Sequence, residues 1–149
     1  MARIRRSTLP DGYFHVFARG TAAGGPLFRD DEDCSTFVTL AYDEGRRHGW
    51  TYHAYCLLGT HYHLVVESRR EALSRGLQRL NGLYARYFNL RHDRFGHVFA
   101  GRFSARAIED ESYLYDACTY VVLNPVRAGL CDRVEAWPWS YSSFGLERA

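Results

Sequence analysis

The chain has 149 residues, 46% of them apolar and 15% aromatic, which supplies a core for one domain (residues 1–149) and excludes a disordered chain. No run of about eighteen apolar residues occurs, and the basic opening Met1-Ala2-Arg3-Ile4-Arg5-Arg6 is not followed by an apolar signal core, so a soluble, intracellular protein is expected. The net charge of +2 conceals a partition: nine Arg and two acids lie between Arg69 and Arg106, against ten Arg and fifteen acids elsewhere.

All 19 basic residues are Arg, whose planar donor fork suits phosphate oxygens and guanine edges, so the basic middle section points to a polyanion partner. The four cysteines (Cys34, Cys56, Cys118, Cys131) show no CxxC spacing, and reduced, mostly buried thiols are expected.

In chain order, residues 13–20 are β-branched and aromatic up to a Gly-rich turn, which predicts a first strand. Residues 30–48 predict a helix: acids crowd its first turn, Arg46-Arg47-His48 its last, and Gly49 stops it. Residues 50–58 and 61–67 read as a hairpin joined by Gly59-Thr60. Residues 71–90 predict a second helix, with Leu73, Leu77, Leu80, Tyr84 and Tyr87 or Phe88 inward and Arg75, Arg79 and Arg86 on another face. A fourth strand broken by Gly101 is expected over 96–108, and a third helix over 109–122, stopped at Asn124-Pro125. The tail, Trp137-Pro138-Trp139-Ser140-Tyr141, reads as an aromatic strap. This order suggests an α+β fold, an antiparallel sheet with helices largely on one face and the other face free for a site.

Side chains at i and i+2 of a strand share a face, so His61 and His63 stand side by side while Tyr62, Leu64 and Val66 point to the core. Paired imidazoles suit a divalent metal; the ordinary alternative is two histidines on a polar sheet face. Glu67, further along, is the poorer ligand. On the third helix Tyr120 and Asn124 lie four apart on one face, placing a hydroxyl one turn from an amide oxygen that can ligate a metal. Tyr84 and Tyr87 compete with Tyr120 for the role of nucleophile, and spacing alone leaves that choice open.

His61-Tyr62-His63-Leu64-Val65-Val66 resembles the HUH motif (His, hydrophobic, His) of single-tyrosine transposases. The run from Tyr120 through Asn124-Pro125-Val126-Arg127-Ala128-Gly129-Leu130 resembles the nucleophile helix of REP-associated tyrosine transposases. Tyr13-Phe14-His15-Val16 with Arg19-Gly20, Gly96-His97-Val98-Phe99 with Gly101-Arg102-Phe103, and Trp137-Pro138-Trp139-Ser140 match in family order, covering nearly the whole chain. The chain departs from the family at Gly59-Thr60, where Pro-Asn is usual, at Tyr62, usually aliphatic, and at Thr21, frequently Asn.

The resemblance implies a ferredoxin- or RRM-like HUH fold and metal-dependent cleavage and joining of single-stranded or hairpin, REP-like DNA. Tyr120 would form a 5′-phosphotyrosine, with Asp116 one turn before it as a candidate base. His61, His63 and Asn124 would hold Mg²⁺ or Mn²⁺. Arg19, Arg75, Arg79, Arg86, Arg94, Arg102 and Arg106 are the candidate DNA contacts, and a cytoplasmic, nucleoid-associated monomer is favoured over a dimer. Three rivals remain: a domesticated hairpin-DNA-binding protein without transposition, an RNA-binding sheet, which needs aromatics where His61 and His63 stand, and a metal-dependent hydrolase using water.

Overall fold

A computed structural model describes residues 12–146; the basic stretch Met1 to Arg6 lies outside them. The elements are β1 (Gly12–Arg19), α1 (Asp31–His48), β2 (Thr51–Leu57), β3 (His61–Ser68), α2 (Arg70–Arg91), β4 (Ser104–Ile108), α3 (Leu114–Arg127) and β5 (Ser140–Ser142). The five strands form one sheet in the order β4-β1-β3-β2-β5, every pairing antiparallel.

Alternation divides the sheet into two faces. Phe14, Val16 and Ala18 of β1 with Tyr62, Leu64 and Val66 of β3 are buried against Cys34, Phe37 and Ala41 of α1 and Leu73, Leu77, Leu80, Tyr84 and Phe88 of α2. Burial of each large side chain contributes roughly 1.5–3 kcal/mol. Two helices thus share one face as expected. The third packs on the other: Leu114, Cys118 and Val121 of α3 bury Ala54 and Cys56 of β2 and Val65 of β3. That face carries a helix across part of its width and is left open only in part.

α1 follows the predicted signals closely. Asp30 caps it by accepting from the Asp33 N–H at 3.1 Å, and Gly49 ends it in the left-handed region at φ 71°. α2 packs beside α1 through polar as well as apolar contacts. The buried Asp33 carboxylate takes Arg91, His92 and the Tyr87 hydroxyl. The buried Glu44 carboxylate takes Arg79 at 2.8 Å and His48 at 3.2 Å.

Two boundaries correct the sequence expectation. The strand expected over 96–108 forms only from Ser104; residues before it are irregular, with a single bridge from Phe99 to Gly20. α3 starts later than 109, after a short 3-10 turn at Glu111–Tyr113, and runs through Pro125 to Arg127 rather than stopping at Asn124. Pro125 has no N–H for the Val121 carbonyl, and the Asn124 side-chain amide supplies one, donating to Val121 at 3.2 Å and to Tyr120 at 3.1 Å. The helix ends instead at Gly129 (φ 74°), where Gly129 N–H bonds the Val126 carbonyl and Leu130 N–H that of Pro125.

The Gly59-Thr60 turn closes the hairpin with Leu58 N–H on the His61 carbonyl at 2.9 Å. The strap of the tail becomes edge strand β5, anchored where Trp137 Nε1 donates to the Leu57 carbonyl at 2.9 Å. The four cysteines are free thiols, three of them buried. Among the described residues no helix is long and apolar enough to cross a membrane.

Candidate active site

The register of β1 on β3 sets Phe17 opposite His63, Arg19 opposite His61 and His15 opposite Val65. β4 then places Ser104 opposite Phe17 and Arg106 opposite His15. All these side chains share the face on which α3 lies. Because Val121 of α3 is anchored in the core beneath it, Tyr120, one position earlier on the helix, overhangs the histidines.

Three imidazoles are therefore gathered, not two. Ring centroids are 5.2 Å apart for His61 and His63 and 5.2 Å for His15 and His63. The Tyr120 ring stands edge-on to His15 at 5.7 Å and to His63 at 6.2 Å. Phe17 packs against His61 at 5.4 Å and His63 at 5.0 Å, an apolar neighbour on the same face.

These histidines are neutral near pH 7. Burial chiefly, then repulsion from His15 or His61 when either is protonated and from the Arg127 guanidinium, pushes His63 down to about 3 from 6.5. Burial and the Arg106 guanidinium lower His15, and burial and Arg19 lower His61. Neutral imidazole is the metal-ligating form. His61 Nδ1 lies 3.0 Å from Thr60 Oγ1 and His63 Nδ1 lies 3.0 Å from His15 Nε2, which restrains both rings. Two neutral imidazoles side by side are donors that a divalent cation could use. Among the described residues no group of three or more His, Cys, Asp and Glu is placed to hold a metal ion, so an ion here would need amide, water or substrate oxygens as further ligands.

The remaining predicted residues divide by location. Asn124 lies one turn past Tyr120, its amide nitrogen turned onto the helix carbonyls. Asp116 is exposed in the first turn of α3. Glu67 lies beyond Val65 and faces His53, with Nε2 at 3.6 Å. Arg19 and Arg106 flank His61 and His15. Arg75 and Arg86 are exposed on α2, on the opposite side of the sheet, and Arg79 there is bound to Glu44. Arg102 lines a cavity of about 480 Å³ under α2 with Phe14, Gln78, Asn81 and Phe103, and Arg94 lies against Phe88. The rival tyrosines are also on that side: Tyr84 donates to the Leu27 carbonyl at 2.6 Å and Tyr87 to Asp33 at 2.8 Å.

Spacing did not single out two residues of the site. His15 stands alone in its strand, and only the non-local register brings it to His63. Arg127 lies beyond the proline that was expected to end the helix, and its guanidinium sits 4.3 Å from the centre of the Tyr120 ring.

No family model matches the chain, and no curated protein matches it. Its fold is that of a REP-associated tyrosine transposase solved bound to a REP hairpin, with a TM-score of 0.73, 18% identity, and coverage of 94% of this chain and 82% of that one. A crystal structure from Deinococcus radiodurans R1, provisionally assigned as a transposase, is similar at a TM-score of 0.54 and 11% identity, covering 78% of this chain and 92% of that one.

Proposed function

We propose that this chain cleaves and rejoins single-stranded or hairpin DNA through Tyr120, as a transposase of the REP-associated tyrosine type. The observation that carries the reading is the placement of the Tyr120 ring over His63 and His15, on the sheet face that also presents His61. The shared fold with a hairpin-bound transposase supports it.

Arg19 and Arg106, beside the imidazoles, hold the backbone of the strand so that one phosphodiester lies under Tyr120. The Tyr120 oxygen attacks phosphorus, the bond to the 3′ oxygen breaks, and the proton lost from the phenol ends on that leaving oxygen. The product is a 5′-phosphotyrosine, which conserves the bond for rejoining to another 3′-hydroxyl. His61 and His63, with the Asn124 amide oxygen, would hold a Mg²⁺ or Mn²⁺ ion, which supplies Lewis-acid stabilisation of charge on the phosphoryl oxygens. Phe17 packs beside His61 and His63 and gives the site one apolar side.

The test is a denaturing-gel assay with labelled single-stranded DNA carrying palindromic repeats, with Mn²⁺ or Mg²⁺. A metal-dependent covalent adduct should form with the wild type and be absent from Tyr120→Phe and His61→Ala. Survival of the adduct in Tyr120→Phe removes Tyr120 as nucleophile. Tight binding without any adduct favours a hairpin-DNA-binding protein that no longer cuts.

A further inference from the structure

We propose that Arg127 is a further catalytic residue: its guanidinium holds the Tyr120 ring in place and, from the same position, donates to a non-bridging oxygen of the scissile phosphate. The inference rests on the strand-cleavage reading above and assigns a role that reading leaves open.

Tyr120 is 48% exposed, an unusual setting for a side chain that must hold one orientation. His15 and His63 meet only the edges of its surroundings, through edge-on ring contacts. Arg127, two helical turns on, covers a ring face at 4.3 Å, a cation–π contact, and its Nη2 donates to the Tyr120 backbone carbonyl. The carbonyl bond fixes the guanidinium and the guanidinium fixes the ring. This geometry exists only because α3 continues through Pro125; a helix ending at Asn124 would carry Arg127 away from its face.

The phosphate follows from reach. In-line attack requires phosphorus roughly 3–3.5 Å from the phenol oxygen. A phosphodiester held there lies beside the guanidinium that covers the same ring. A guanidinium carries five N–H donors, and the bond to the carbonyl uses one of them. The others suit phosphoryl oxygens, where charge grows as the phenol attacks. Arg127 thus adds to the positive charge of Arg19 and Arg106 on this face, and it lies directly over the ring of the nucleophile.

The experiment uses the whole chain with Mn²⁺, comparing wild type, Arg127→Ala and Arg127→Lys after circular dichroism has established folding. Single-turnover adduct formation at saturating DNA is measured separately from DNA Kd. Arg127→Ala should slow the saturated rate by about 10²-fold, as loss of one transition-state donor does elsewhere. Its Kd should change far less, and free guanidinium ion at low millimolar concentration should restore part of the rate. Arg127→Lys, which keeps charge without the planar fork, should remain slow. An unchanged saturated rate, a loss confined to Kd, or a slow variant that guanidinium leaves untouched would overturn the proposal.

A second measurement needs no chemistry. With fluorotyrosine incorporated and the Tyr120 signal assigned by Tyr120→Phe, an unpaired oligonucleotide should shift that signal in the wild type and not in Arg127→Ala. An equal shift in both, or none in either, overturns the Arg127 assignment. Absence of any wild-type adduct strikes only the strand-cleavage reading, so the two failures are told apart.

Discussion

His63 is held between His15 and His61 beneath Tyr120, and its environment selects the uncharged ring. Its folded pKa of about 3 lies below the ordinary 6.5, so the unfolded chain takes up the proton first. The stability carried by the neutral ring is complete above about pH 6.5 and is lost as pH falls toward about 3. Between those limits one such group changes stability by up to about 1.4 kcal/mol per pH unit. Urea unfolding at pH 7.5 and 4.5 in the presence of a chelator should therefore show a larger loss for the wild type than for His63→Gln. Parallel losses would mean that His63 protonates freely in the fold. At Arg79 the same residue-scale logic separates structure from binding. Arg79→Ala leaves the buried Glu44 carboxylate with His48 and a distant Arg47, and should cost about 1–3 kcal/mol. Its affinity for an unpaired oligonucleotide should stay near that of the wild type; a weakened complex at unchanged stability would return Arg79 to the DNA surface.

At the scale of elements, α3 decides where the nucleophile points, and its passage through Pro125 rests on one side chain. Asn124 substitutes an amide N–H for the backbone donor that Pro125 lacks. Asn124→Ala removes its two bonds to the helix and should destabilise the fold by about 1–2 kcal/mol. In a Pro125→Ala background the backbone N–H returns to the Val121 carbonyl, so the same substitution should cost less, with a coupling energy of at least about 0.5 kcal/mol in the double-mutant cycle. Additive costs would deny Asn124 this role. Here lies the boundary of what spacing alone reveals. The hairpin, the shared face of His61 and His63, and the capped α1 are local, written in alternation and end signals within a few residues. The passage of α3 beyond Pro125, the arrival of His15 at His63 and the late start of β4 depend on partners distant in sequence. The pairing of Arg79 with Glu44 likewise requires α1 and α2 to be packed before it can be seen.

For the molecule as a whole, the sheet is a partition between two arginine-bearing surfaces. His15, His61, His63 and Tyr120 share one face with Arg19 and Arg106, while Arg75 and Arg86 project from α2 beyond the other. Clustering of arginine in the sequence therefore overstates how many can meet one strand at once. An unpaired oligonucleotide seated at Tyr120 should use the first set. For single strands each neutralised phosphate adds about 0.7 to the slope of log affinity against log salt. Arg19→Gln and Arg106→Gln should each flatten that slope by about this amount, whereas Arg75→Gln and Arg86→Gln should leave it unchanged. Titrations by fluorescence anisotropy from about 50 to 200 mM salt span the range in which such contacts dominate. If the α2 variants flatten the slope equally, the strand must pass around the β4 edge and bind both faces. The sheet would then be a core that DNA encircles, and the confinement of the substrate to the histidine face would be wrong.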